Sequence, residues 1–216
     1  MNASENGQTL HAIVVGVDYS ELGDLALERA CTLARSSERA YLHVVHVARF
    51  ASAQDLQNET QAPDVSHASK RLHGHVEKVV KRWCEARGLP APFERVTTHI
   101  RSGNPAEAIA QLASDVQAEL VVVGTHGQSG GRSFLLGSVA EGTVRLAPCA
   151  VVVARESDAV APGIAPPCPR CLAMRQATGG REFWCEQHRQ HHERHHTYHY
   201  VVATDAHQSG LLIHME

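Results

Sequence analysis

Two groups of residues have types and spacings that suit chemistry. The first is the stretch Gly124-Thr125-His126-Gly127-Gln128-Ser129-Gly130-Gly131-Arg132-Ser133-Phe134-Leu135-Leu136-Gly137-Ser138-Val139, a G-x2-G-x9-G-S arrangement that follows the apolar run Leu120 to Val123. A buried strand, a loop of exposed amides and a helix start near Gly137 or Ser138 make an anion site. Glycines let the backbone approach a phosphate, and the N–H groups and dipole of a helix N-terminus favour negative charge. Ser138 could add a hydroxyl and Arg132 a charge. The pattern is neither of the familiar nucleotide loops, since no loop glycine precedes Lys and then Ser or Thr, and no G-x-G-x-x-G follows a strand. A flexible turn is the plainer reading for any two of these glycines alone. His126, between Thr125 and Gly127, is either a base or a hydrogen-bonding loop residue.

The second group is Cys168-Pro169-Arg170-Cys171, then thirteen residues, then Cys185-Glu186-Gln187-His188. C-x2-C-x13-C-x2-H is the spacing of a structural zinc site in which two short knuckles supply four ligands. His188 or His191 completes the set. Thr178-Gly179-Gly180 between the knuckles predicts two strands folded back as a ribbon. The competing readings are a redox pair, which lacks the strand-to-helix setting that lowers a thiol pKa, and surface thiols with no role. His188, His191, His192, His195, His196 and His199 recur at helical spacing. That face suits further metal, or, with Arg189, Glu193 and Arg194 interspersed, a solvated surface.

Several elements must position these groups. His11 to Val17, Tyr41 to Val47, Phe93 to Ile100, Leu120 to Val123 and Ala150 to Ala154 read as five apolar strands. Residues 20 to 36 read as a helix capped by Ser20, and Leu72, Val76, Val79, Val80 and Trp83 mark one face of a second helix stopped by Gly88-Leu89-Pro90. Asn104 and Pro105 open a third helix, and Leu135 to Leu146 is a fourth. The alternation predicts an α/β fold, a parallel sheet with helices on both faces. A polar loop around Asp55 to Pro63 separates the second strand from the second helix. Ligands of such sheets bind beyond the carboxyl ends of strands. Asp18, ending the first strand, is then either a helix-capping aspartate or an acid facing the glycine loop, accepting ribose hydroxyls or helping to hold Mg²⁺. His43 and His46, flanked by strand valines, read as structural histidines.

Composition bounds the rest. The 216 residues suffice for one α/β domain and something smaller, and a formal charge of -3 argues against a nucleic-acid surface over the whole protein. No run approaches the roughly 18 to 20 apolar residues of a membrane span. The first residues lack a basic start and an apolar core, so a cytoplasmic location is expected, where the six cysteines serve as thiols or metal ligands. Residues 156–167 read as an Ala/Pro/Gly linker and residues 168–216 as a zinc-binding, His-rich segment, with a hairpin across Asp205 to Gly210 joining Tyr200-Val201-Val202-Ala203 to Leu211-Leu212-Ile213-His214.

Over residues 9–155 the chain resembles the ATP-binding branch of the universal stress protein family. The likeness is carried by the glycine loop with Leu-Val-Val-Val-Gly-Thr-His-Gly, and by Val15-Gly16-Val17-Asp18, Leu42-His43-Val44-Val45, Gly103-Asn104-Pro105-Ala106-Glu107-Ala108-Ile109 and Ala147-Pro148-Cys149-Ala150-Val151-Val152-Val153. The resemblance implies a Rossmann-like sheet of strand order 3-2-1-4-5. It implies that Val17, Asp18 and Val45 line an adenosine, that Gly124, Gly127, Gly137, Ser138 and Val139 hold ribose and phosphates, and that homodimers pair through the fifth strand. Gly131-Arg132-Ser133 departs from the usual loop by one place, which leaves the role of Arg132 open. The resulting expectation is an ATP-binding stress-response protein, using Mg²⁺, with slow or no hydrolysis. Its zinc-bound tail would serve regulation or docking of a protein partner. The alternative is a zinc- or nickel-handling protein with the α/β domain as scaffold.

Overall fold

The computed structural model describes residues 11–37, 39–48, 65–127, 136–156, 164–190, 200–203 and 212–215. The chain divides into two compact units, Met1–Ala159 and Val160–Glu216.

The first unit is a five-stranded sheet in the order β3-β2-β1-β4-β5, formed by β1 (His11–Gly16), β2 (Ala40–Ala48), β3 (Arg95–Ser102), β4 (Leu120–Gly124) and β5 (Ala150–Ala154). All four pairings are parallel, as expected from the alternation of strands and helices. The helices between them are α1 (Glu21–Ala34), α2 (Val65–Arg87), α3 (Pro105–Asp115) and α4 (Ser138–Leu146). Alternate strand residues enter opposite layers. Ile13, Val15, Leu42, Val44 and Val122 pack with Ala26, Leu27 and Ala30 of α1 and Leu72, Val76 and Val79 of α2. Ala12, Val14, Val45, Val121 and Val123 pack instead with Ile109, Leu112 and Ala113 of α3 and Ala140 of α4. The central strand β1 therefore has apolar side chains on both faces, which is why it reads as an unbroken run.

Helix boundaries follow local chemistry. The Ser20 hydroxyl accepts from Gly23 N–H at 3.1 Å, and Asn104 Oδ1 accepts from Ala106 and Glu107 N–H at 3.0 and 3.4 Å, with Pro105 opening α3. Gly88, at φ 62, ends α2: Gly88 N–H donates to Glu85 O at 3.3 Å and Leu89 N–H to Cys84 O at 3.1 Å. Two boundaries differ from expectation. Leu136 and Gly137 lie outside α4, which starts at Ser138, because Gly137 is extended (φ -66, ψ 152). Phe93 precedes β3 and packs against the core, and the ladder onto β2 opens with Glu94 N–H donating to Ala40 O at 2.9 Å. The expected loop at Asp55 to Pro63 lies outside the described residues.

The second unit corrects the ribbon expectation. Its knuckles are helical, with α5 at Pro169–Ala177 and α6 at Glu186–Gln190. Pro169 at the first helical position pre-sets φ, and Arg170 to Ala177 contains no β-branched residue and, apart from Cys171, only strong helix formers. The Thr178-Gly179-Gly180 turn therefore ends a helix rather than joining strands. The antiparallel strand pair expected farther along is present, with its second strand one residue later: β6 (Tyr200–Ala203) pairs with β7 (Leu212–Met215), and the expected turn at Asp205 to Gly210 lies outside the described residues. Among the described residues, no helix is long and apolar enough to cross a membrane.

Candidate functional site

Strand order brings the carboxyl ends of β1 and β4 side by side, and the chain leaving each faces the other. Asp18 follows β1. Its Oδ1 accepts from Ser20 N–H at 3.1 Å and from the Ser20 hydroxyl at 2.5 Å, and the same hydroxyl caps α1. Its Oδ2 faces the glycine loop so closely that a Cβ placed on Gly127 would lie 2.5 Å from it. The two readings of Asp18 are thus not exclusive, since one oxygen supports the helix start and the other looks onto the loop. Only glycine permits that approach, because any side chain at 127 displaces the carboxylate.

The loop is held at both ends by backbone bonds. Thr125, buried, donates its N–H to Ala154 O at 3.1 Å and accepts Gly137 N–H at 2.8 Å. These tie the end of β4 to β5 and to the start of α4. Gly137 supplies no side chain to cap α4, so the amides of its first turn receive no side-chain bond from the N-cap residue.

The result is a cavity of about 540 Å³ bounded by the ends of β1, β2 and β4 and the starts of α3 and α4. Val17, Asp18 and Val45 line one part of it, and Gly124, Gly127, Gly137, Ser138 and Val139 the other. Arg132 lies outside the described residues. A second concavity, of about 640 Å³, sits at the other end of the strands among Arg35, Arg39, Pro90 and Phe93, away from the glycine loop.

Several lining residues escaped the sequence reading. His46 was expected to be structural, and its Nδ1 does contact Val17 O at 2.9 Å, yet it also borders the cavity. Together with Val17 N–H donating to Val45 O at 2.9 Å, this bond clamps the two valines across the β1–β2 edge. Pro105, Ile109 and Thr125 also line the cavity. The Asn104-Pro105 cap was the only hint, because it aims the start of α3 at the same end of the sheet. Next to Asp18, Tyr19 takes φ 63, a conformation a bulky residue holds only when its surroundings over-determine it. Its ring is flanked by His46 at 4.6 Å, His75 at 5.0 Å and the Arg71 guanidinium at 4.4 Å, and burial pushes its phenol pKa up.

In the second unit Cys168, Cys171, Cys185 and His188 each offer a ligand atom, all within 4.8 Å of one another. The thiols carry no disulfide. Cys168 is the N-cap residue of α5, so the Cys-x2-Cys pair opens a helix, although the described residues leading into it, 164–168, form no strand. The Cys171 amide, with that of Arg170, holds the Cys168 thiol below its ordinary range. His191, His192, His195, His196 and His199 lie outside the described residues.

The universal stress protein family matches residues 9–155. A universal stress protein of Methanocaldococcus jannaschii is 30% identical over 152 residues, 70% of this chain and 86% of that protein. A relative from Staphylococcus saprophyticus is 30% identical over 151 residues, covering 69% and 86% of the two chains. Among solved structures, the universal stress protein UspA from Lactobacillus plantarum superposes with a TM-score of 0.53 at 24% identity, over 67% of this chain and 97% of that one, a likeness of fold. With its doubly wound sheet, its glycine loop at the ends of β1 and β4, and these matches, the chain belongs to the universal stress protein family.

Proposed function

We propose that the α/β unit binds an adenine nucleotide, ATP with Mg²⁺, in the cavity between the ends of β1 and β4, with slow or no hydrolysis. The observation that carries this reading is convergence: residues drawn from four separate segments of the sequence, around 17, 45, 124 and 137, line one cavity. Its size suits a nucleotide-sized ligand. Val17 and Val45 offer an apolar surface for the base, Asp18 an acceptor for ribose hydroxyls or a ligand for Mg²⁺. Gly124, Gly127, Gly137, Ser138 and Val139 offer amides and a hydroxyl for the ribose and phosphates. Arg132, between the loop's outer glycines in sequence, is the natural candidate for a charge on the phosphates. Slow turnover follows from the loop's chemistry, since no lysine follows any of its glycines. In this reading the protein is a cytoplasmic, homodimeric stress-response factor paired through β5. Its second unit serves regulation or docking of a protein partner.

Titration calorimetry with Mg²⁺–ATP tests it. Gly127→Val is expected to weaken binding at least about tenfold, or 1.4 kcal/mol, because its Cβ would land on Asp18 Oδ2 and expel the carboxylate from the site. Circular dichroism should show the sheet intact. Unchanged affinity in the variant, or no ATP binding by the natural chain, would remove the proposal.

A further inference from the structure

The segment 164–190 has, among its described residues, too little apolar packing to account for its order. Among the described residues between 164 and 190 the only buried ones are Cys171 and Cys185, 3% and 6% exposed, while Leu172, Phe183 and Trp184 face outward. Thiols alone are weak hydrogen-bonding groups, and a pair of them gives a small core. Yet both helices are aimed at this point. Cys168 occupies the N-cap position of α5, Cys171 lies one turn inside it, and Cys185 accepts at its carbonyl the N–H groups of His188 and Arg189, both at 2.9 Å, which starts α6.

The distances have the dimensions of a coordination shell. With Zn–S bonds of about 2.3 Å and Zn–N bonds of about 2.0–2.1 Å, a tetrahedron has S···N edges of about 3.6 Å and S···S edges of about 3.8 Å. His188 Nδ1 lies 3.3 Å from Cys171 Sγ and 3.6 Å from Cys185 Sγ. The Cys185 amide donates to Cys171 Sγ at 3.4 Å, supporting a sulfur that carries negative charge. A redox pair would account for Cys168 and Cys171, but not for a third thiol and an imidazole converging on them.

We propose that Cys168, Cys171, Cys185 and His188, the last through Nδ1, bind one Zn²⁺ as a closed tetrahedral set of three sulfurs and one nitrogen, and that this ion is the core of the second unit. Four protein ligands leave no open position, so the site is structural rather than catalytic. Three soft thiolates and one imidazole in a tetrahedral arrangement select Zn²⁺ over the oxygen-loving Mg²⁺ and Ca²⁺. Folding of residues 164–190 is then coupled to metal binding. The proposal is independent of the nucleotide reading, because it uses none of the cavity residues.

The test uses the untagged full-length chain. Elemental analysis after exhaustive dialysis should find one zinc per chain, and Co²⁺ substitution should give the intense visible absorption of tetrahedral cobalt with thiolate charge-transfer bands. A chelator should make Cys168, Cys171 and Cys185 reactive towards a thiol reagent and open the 164–190 segment to protease. His188→Phe should abolish metal retention, whereas His188→Cys, which restores a fourth ligand, and His191→Asn should keep it. Absence of zinc in the purified chain, a cobalt spectrum without thiolate bands, or zinc retained equally by His188→Phe would overturn the proposal. Loss of zinc in His191→Asn but not in His188→Phe would overturn the assignment of His188.

Discussion

The two units of this chain hold themselves together with different materials. In the first, Val14, Val15, Leu27, Leu42, Val44, Leu72, Val121 and Val122 are fully buried in two apolar layers on either side of a sheet. In the second, the described segment buries two cysteines and leaves Phe183 54% exposed, with Arg175 stacked on the outside of the Phe183 and Trp184 rings. The contrast follows from size. A chain of the first unit's length removes enough apolar surface from water to offset its ordering entropy, whereas a segment of a few dozen residues does not and needs a staple. Each unit should accordingly fail under a treatment that the other survives.

The largest effect expected is from metal removal. Structural zinc contributes on the order of 10–16 kcal/mol in small metal-folded peptides, so a chelator should unfold the second unit while leaving the first intact. The two tryptophans separate these events, Trp83 being buried in the first unit and Trp184 belonging to the second. Fluorescence of a Trp184→Phe chain should be unchanged by chelation, and that of a Trp83→Phe chain should shift. A shift in both would mean that the units do not stand apart energetically.

Next in size is the converse perturbation. Leu42→Ala empties a fully buried position between β1, α1 and α2 and should cost about 2–5 kcal/mol in urea denaturation of the first unit. Zinc content should stay constant, and a parallel loss of zinc would break the comparison.

Asn104→Ala is smaller still. It removes the acceptor for Ala106 and Glu107 N–H at the start of α3, a loss of about 1 kcal/mol. Because α3 opens onto the cavity, the same variant should also weaken Mg²⁺–ATP binding in calorimetry. Stability lost without any change in affinity would make α3 a scaffold only.

The smallest effect is acidic. His43 and His99 stack across β2 and β3, ring centroids 5.3 Å apart and Nδ1 to Nε2 3.1 Å. Burial pushes both pKa values below the ordinary 6.5, and for His99 the neighbouring His43 and Arg101 push the same way. The fold thus favours the neutral rings. The stability they contribute is complete above about 6.5 and is lost as pH falls through their depressed folded values. Urea midpoints should drop between about pH 7.5 and about pH 5.5, and drop less in His99→Gln. Equal drops would assign the acid response to other groups.

How much of this was legible beforehand differs between the units for a physical reason. The strands of the first unit announce themselves because burial on both faces demands uninterrupted valine and isoleucine, as in Val14-Val15 and Val121-Val122-Val123. The caps do so because Ser20 and Asn104 act on amides only two or three residues away. His46 and Thr125 were missed as cavity residues, since what they border depends on β2 and β5 lying beside β1 and β4. In the second unit the Cys/His spacing was legible, but the ribbon was not correct. The interval between the knuckles is compatible with strands or helices, and the lack of β-branched residues from Arg170 to Ala177 decides for helix.

The sequence by itself determined the periodic elements, the glycine loop and the Cys/His spacing, all properties of residues close together in the chain. Only the tertiary structure decided that Asp18 Oδ2 lies against Gly127, that eight expected site residues share one cavity, and that His188 Nδ1 stands 3.3 and 3.6 Å from two thiol sulfurs. Local interactions act over one or two helical turns and leave a record in the order of residues. Contacts such as Asp18 with Gly127 depend on the sheet's strand order and on how closely two backbones approach, which the fold as a whole sets.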